Sequence, residues 1–273
     1  MRVSVAACLL SVCCALPAGA SVASSARNRV VATGRSKYVL GRSADGRPIV
    51  ARMVLSGTAR RSVLVVGSIA GDEPEGIAVT RLLASEAGIP GVRLWLIPDM
   101  NPDGAARGTR DNADGVDLNR NFPFRWRHLG APGTRFYSGP RASSEPESRA
   151  IEAFIRRTRP NLAIWLHQPY GLVDDSEGPH WAEQLLARSL ALPLERLPDY
   201  PGSAIGWEDH LVHASAFDVE LPGHLSRAAF QRVVTALRAL ALKDLAARSA
   251  RKPSMRERLP TNLSRAGSRS SRG

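Results

Sequence analysis

Ser62-Val63-Leu64-Val65-Val66-Gly67-Ser68-Ile69, followed by Ala70-Gly71-Asp72-Glu73-Pro74-Glu75-Gly76-Ile77, is the stretch on which the fold turns. Its first half is a continuous apolar run without polar alternation, the pattern of a strand buried on both faces of an α/β sheet. The pattern then changes period. Ile77, Leu82 and Leu83 have helical spacing, which predicts a helix from Pro74 to Ala87. Asp72 is a candidate N-cap, Glu75 completes a capping box, and Pro74 suits the first turn. Glu73 is thereby placed just beyond the carboxyl end of a buried strand.

The same alternation runs outward in both directions. Upstream, Tyr38–Leu40 and Ile49–Leu55 alternate around Asp45-Gly46-Arg47-Pro48 and read as a hairpin. Downstream, Val92–Pro98, Leu162–Leu166 and Ala216–Leu221 are further strands. Helices are predicted from Ser144 to Arg157, with Glu147 at the capping-box position, from His180 to Ala191, and from Ser226 to Ala247. Alternating strands and helices predict a three-layer α/β/α domain over residues 38–247, around a mixed, mostly parallel twisted sheet. Residues 99–143 are rich in Gly, Pro, Asn and Asp and lack periodicity; a loop region that long inside a domain usually carries function.

Charge divides the chain. Of 37 basic and 25 acidic residues, residues 1–37 hold five basic groups and no acid, and residues 248–273 hold eight basic groups and one acid, Glu257. The centre is balanced, so the net charge of +12 belongs to the two ends and the folded part has no electrostatic footprint for nucleic acid. Met1-Arg2, the apolar run Val5–Leu16 and the small residues up to Ala20 describe an export signal over residues 1–20. A polar leader over 21–37 follows. Export implies a secreted, periplasmic or wall-associated protein. Cys8, Cys13 and Cys14 all lie inside that signal, so the mature chain has no disulfide and no cysteine ligand or nucleophile. Residues 248–273 are expected to be disordered; their charge offers weak, salt-sensitive contact with an anionic envelope.

In open α/β sheets, ligands bind beyond the carboxyl ends of the strands. Glu73, Asn101, His167 and Glu220 all follow buried strands there. Glu73 and His167 are suitable zinc donors. Glu220, between Val219 and Leu221, suits a general base with a raised pKa. Each residue also has a plainer reading: Glu73 as a helix-dipole partner, His167 as a hydrogen-bonded structural residue, and Glu220 as a buried acid needing a partner.

The combination is more specific. Gly71-Asp72-Glu73-Pro74-Glu75-Gly76, Asn101-Pro102-Asp103-Gly104, Gly108-Thr109-Arg110-Asp111-Asn112, Asp117-Leu118-Asn119-Arg120-Asn121-Phe122-Pro123, Leu166-His167 and Val219-Glu220-Leu221-Pro222 occur in that order. With Tyr137-Ser138-Gly139-Pro140, Ser144-Glu145-Pro146-Glu147, and Pro201-Gly202-Ser203 ahead of Trp207, the chain resembles the zinc carboxypeptidase family, in its bacterial murein tripeptide amidase branch. The resemblance implies one zinc ion and a peptide or murein stem-peptide substrate. Glu73 and His167 match its metal ligands, Arg110 the residue that stabilises the oxyanion, and Glu220 its general base. Asn119 and Arg120 match the holders of the substrate carboxylate, and Trp207 belongs to a stretch resembling the loop that lines the cleft.

One position departs. The family's His-x-x-Glu pair places its histidine at residue 70, which is Ala70. Alanine cannot ligate, and a catalytic zinc normally has three protein ligands. Asp72, Asp99, His210 and His213 are the candidate substitutes. Two readings stay open: an exported hydrolase acting on a weakly held or alternatively ligated zinc, and a pseudoenzyme that binds peptide or wall carboxylates.

Overall fold

The computed structural model of the protein describes residues 33–249, apart from 177 and 213–215. The expected export signal, most of the leader, nearly all of the basic tail and His213 lie outside these residues.

Strands β1 (Thr33–Arg42) and β2 (Pro48–Val66) form the antiparallel hairpin, and β1 begins five residues before the expected boundary. Asp103 closes its turn, accepting hydrogen bonds from Ser43 Oγ, Asp45 N and Arg47 Nη1. The 19 residues of β2 join what the sequence reads as two strands. Both halves pair with β3 (Pro90–Ile97). Ser62 to Val66 run parallel to it, opposite Arg93 to Ile97. Arg52 to Leu55 meet it in descending register, Arg52 opposite Leu96 and Leu55 opposite Arg93. The chain therefore reverses around the start of β3, near Gly57, whose φ of 70° suits glycine.

From β2 the sheet continues in parallel to β4 (Leu162–His167) and β7 (Ala216–Pro222). Strand β5 (Tyr170–Asp174) then pairs antiparallel with β7, and β6 (Leu194–Glu195) pairs parallel with β5. The sheet is mixed with a parallel centre, as the sequence predicts.

The period of two along the strands divides the core. Val63, Val65, Ile164, Leu166 and Val219 face one cluster, with Val79 and Leu83 of helix α1 (Glu75–Ser85), Leu186 of α4 (His180–Leu190) and Leu237 of α6 (Arg227–Ser249). Leu64, Val66, Ala163 and Trp165 face the other, with Ile151 and Phe154 of α3 (Pro146–Thr158) and Trp207 of α5 (Ala204–Val212). Each fully buried aliphatic side chain contributes about 1.5–3 kcal/mol, so these two faces supply the main driving force for the three layers.

Two expected capping boxes do not form. The N-terminus of α1 has no side-chain cap; instead Gln168 Oε1 accepts from Glu75 N, and Glu75 Oε1 accepts from Leu225 N. At α3, Glu147 accepts from Ala44 N and Asn112 Nδ2. In both places donors of distant loops, costly to leave unsatisfied when buried, take the acid that the local pattern assigns to the helix. Ser226 does cap α6, accepting from Ala229 N at 3.2 Å. Strands β5 and β6 and helix α5 escape the sequence reading because they are short and carry Gly or polar residues. Helix α2 (Pro102–Arg107) likewise interrupts the long loop region.

Helix α6 is fastened to β2 by a buried, bidentate ion pair, with Arg61 Nε and Nη2 at 2.6 and 2.7 Å from the Asp244 carboxylate. Removing one partner strands the other charge. Asp244→Ala is predicted to lower the unfolding free energy by about 3–5 kcal/mol in urea titrations; a change under about 0.5 kcal/mol would show that the pair contributes nothing.

Candidate functional site at the strand ends

The turn after β2 is built by backbone contact. A Cβ on Gly71 would lie 2.0 Å from the carbonyl carbon of Gly104, so only glycine lets this turn lie against α2. Gly71 N donates to Arg110 O, and Glu73 N donates to Ala70 O. Glu73 is thereby brought to the end of β4, where His167 is the last strand residue and pairs in register with Glu220 of β7. Glu73, His167 and Glu220 do converge at one edge of the sheet.

The Glu73 carboxylate is fully engaged. Oε1 accepts from Arg110 Nη1 at 3.1 Å, and Oε2 lies 3.0 Å from His167 Nδ1 and accepts from Gln168 N. Arg110 Nε donates to Asp117 Oδ2 at 2.9 Å. On its other side, His167 Nε2 is 3.5 Å from Asp218 Oδ1. Burial opposes charge on both Glu73 and His167, but their neighbours win. The His167 hydrogen bond and the nearby Arg110 hold Glu73 below the usual carboxylate range. Asp218 and Glu73 hold the His167 imidazole well above its ordinary value. Glu220 is less well compensated: burial, with Asp218 and Glu73 nearby, pushes its carboxyl up to about 7 against the opposing effect of His167 and a backbone hydrogen bond from Tyr170, and its Oε2 accepts no hydrogen bond from the described residues.

Asn119 and Arg120 lie in a 3-10 turn (Leu118–Arg120) capped by Asp117, whose Oδ1 accepts from Asn119 N. Asn119 Oδ1 accepts from Ala204 N, which leaves the side-chain NH2 as the donor not engaged there. Arg120 is 5% exposed, and its Nη1 donates to Asn119 O at 2.7 Å. Among the described residues no carboxylate lies within ion-pair distance of it. Its guanidinium instead lies over the Tyr200 ring at 4.0 Å and near Phe136 at 5.5 Å. Arg110 approaches the same Phe136 ring at 5.5 Å. Burial lowers the Arg120 pKa. Phe136 and Tyr200, 42% and 47% exposed, are site residues the sequence does not flag, since only tertiary contact with the two arginines marks them.

Trp207 requires correction. It is 3% exposed, and its ring packs 5.4 Å from Phe122 inside the second core cluster. Its outer edge helps floor an open cavity of about 390 Å³ lined by Phe124, Arg125, Arg156 and His210, not by Asn119 or Arg120. Tyr200 is the aromatic residue that stacks on Arg120.

The residues present do not fit a catalytic zinc centre. Glu73 and His167 give two donors of the usual three, and those donors are bonded to one another. The Ala70 methyl is 1% exposed. Of the proposed substitutes, Asp72 points to solvent, Asp99 Oδ1 accepts from Asn101 N, and His210 stacks on Phe124 at 4.5 Å. Among the described residues no third His, Asp or Glu completes a metal-sized cluster with Glu73 and His167.

The zinc carboxypeptidase profile matches residues 33–173, more than half of the chain. That span includes Glu73, Arg110, Asn119, Arg120 and His167, and ends before Glu220. Murein peptide amidase A of Escherichia coli K12 is 32% identical over 181 residues, covering 61% of this chain and 74% of its own length. Bacteriocin BCN5 of Clostridium perfringens is 33% identical over 211 residues but matches in only 23% of its length. Among solved structures, murein-tripeptide amidase from Escherichia coli O157 superposes with a TM-score of 0.62 at 26% identity, covering 77% of this chain and 93% of its own. Carboxypeptidase A from Helicoverpa armigera gives 0.67 at 19% identity, over 81% and 69%, a likeness of fold.

Behind the site, Trp165 Nε1 donates to Glu208 Oε2 at 2.9 Å, and burial pushes the Glu208 carboxyl up to about 8. In the unfolded chain it titrates near its ordinary 4.5. Between those values the folded state holds the extra proton, so stability falls as pH rises through the window. Glu208→Gln keeps the indole's acceptor and removes the titration. It is predicted to raise the thermal midpoint at pH 8 while leaving it nearly unchanged at pH 4.5; equal midpoints at both pH values would refute the neutral carboxyl.

Proposed function

Because this chain belongs to the zinc carboxypeptidase family and is murein peptide amidase-like, we propose that its cleft receives a murein stem peptide by its terminal carboxylate, and that Ala70 turns this hydrolase scaffold towards binding. The observation that carries the reading is Arg120. A buried guanidinium without a carboxylate is an unfavourable state, which an incoming peptide carboxylate relieves through a bidentate contact. The remaining Asn119 amide donor stands beside it, and Tyr200 and Phe136 shield the pair.

A second reading is supported by Glu220. A carboxyl near 7 with an unpartnered oxygen suits proton transfer at neutral pH, which is what a hydrolase needs of its general base. Arg110 then stabilises negative charge on the attacked carbonyl, although Glu73 and Asp117 already hold it. The apolar segment Val5–Leu16 supports export, and therefore a meeting with wall peptides outside the cytoplasm.

Calorimetric titration with a murein tripeptide and with its terminal carboxamide tests the anchor. The free acid is expected to bind, with the carboxamide and the Arg120→Ala protein each at least about tenfold weaker, as befits loss of a charge-assisted hydrogen-bonded pair. Equal binding of acid and carboxamide would remove the proposal.

Peptide release, assayed with zinc present, separates the two readings. The binding reading predicts negligible turnover by the native chain and a gain on Ala70→His. Turnover by the native chain that Glu220→Gln abolishes would establish the hydrolase instead.

A further inference from the structure

A second group of metal-ligating side chains lies where the chain leaves β5 and enters α4. Asp175, His180 and Glu183 each bring one donor atom into a cluster whose atoms all lie within 4.8 Å of one another. His180 Nδ1 is 2.9 Å from Asp175 Oδ1 and 3.5 Å from Glu183 Oε2. Zinc bonds of about 2.0–2.2 Å in a tetrahedron separate neighbouring donors by about 3.3–3.6 Å. The second spacing lies in that range and the first falls short by a few tenths of an ångström, a movement an exposed aspartate can make.

Glu183 supplies the stronger sign. Its side chain is fully buried, and its Oε1 accepts from Ser176 Oγ at 2.7 Å. Its Oε2, also buried, has no hydrogen-bond partner among the described residues and is turned towards the imidazole. A buried carboxylate oxygen whose nearest donor is an imidazole nitrogen at 3.5 Å is poorly satisfied, and an ion or a proton relieves it. The far side of the ring is braced as well. His180 Nε2 lies 2.6 Å from the Gln184 side-chain amide. As placed, the atom at that distance is Gln184 Nε2, a donor; turning the amide over brings its oxygen there to accept the His180 Nε2 proton and frees Nδ1 as the ligand atom, the support that ligating histidines usually have.

We propose that Asp175, His180 and Glu183 form a binding site for a divalent transition-metal ion, zinc in the first instance, separate from the strand-end cleft. Two carboxylates balance the ion's charge, and any proton on Nδ1 leaves to solvent as the metal binds. One imidazole with two carboxylates favours zinc over calcium or magnesium, which prefer all-oxygen shells. The side chains of Asp175 and His180 are 41% and 57% exposed, so the ion has an entry path and a water can complete the shell. Because β5 runs antiparallel to β7, its carboxyl end points away from the edge that carries His167 and Glu220. The site therefore ties the segment after β5 to α4 and takes no part in the cleft's chemistry.

Zinc titration of the metal-free chain lacking residues 1–20, and with them Cys8, Cys13 and Cys14, followed by calorimetry, tests this without any peptide, so its result is independent of the function proposed above. The native chain is expected to bind zinc at one saturable site. His180→Ala and Asp175→Asn, both exposed changes that leave the fold intact, are each expected to weaken it at least about tenfold, the scale on which metal sites respond to loss of a supporting group. Glu73→Gln is expected to leave this site unchanged. The proposal is overturned if the native chain binds no zinc, if His180→Ala and Asp175→Asn bind as the native chain does, or if Glu73→Gln alone abolishes binding.

Discussion

The 3.0 Å contact between Glu73 and His167 holds the strand-end site together. It joins the turn after β2 to the end of β4, and each partner reaches outward to a further charge, Arg110 on one side and Asp218 on the other. Asp117 extends the chain by binding Arg110 and capping the turn that presents Asn119 and Arg120. Asn119 and Arg120 are therefore placed by the same network that occupies the Glu73 and His167 donors. An ion entering between Glu73 and His167 would have to break that contact and also release Arg110, an arrangement with only two donors to offer in return.

The two ends of the network differ in kind. From Asp218 to Asp117 the charges alternate in sign and are largely satisfied within the fold. Arg120 and Glu220 are less fully paired: one is a buried cation resting on aromatic faces, the other a buried acid with one oxygen, Oε2, that accepts no hydrogen bond from the described residues. These two incompletely satisfied buried groups of opposite sign lie at either end of the paired network, and each would be stabilised by a complementary group.

The fold was legible wherever apolar period was strong: the central strands and the helices α1, α3, α4 and α6 all stand close to their expected places. Glu73, His167 and Glu220 were legible for the same reason, since each follows a run such as Leu162–Leu166 that can only be a buried strand. What the sequence could not show is what loops do to one another. Phe136 lies in a stretch without periodicity and matters only because Arg110 and Arg120, not adjacent to it in sequence, join its neighbour Arg135 over the ring. Trp207 sits near a cleft-like motif, but residence in a short helix, α5, turns its ring into the core. Glu75 and Glu147 satisfy a local capping pattern and are nevertheless taken by Leu225 and Ala44, more than 100 residues away.

The presence of Glu73 and His167 next to Ala70 invites the reading that the metal chemistry survives. The charge network supplies a different reason for it. Removing Glu73 would leave Arg110 and His167 facing each other across a buried space as like charges, and removing His167 would leave Glu73 and Asp218 in the same position; breaking a buried pair of this kind typically costs about 3–5 kcal/mol. These two residues are required for the stability of this arrangement whether or not a metal ever binds. Glu220 is different, because the fold engages its carboxylate only in part: beside a backbone hydrogen bond from Tyr170, its Oε2 accepts none from the described residues. Its presence, and not that of the two ligand residues, is what weighs on the side of chemistry.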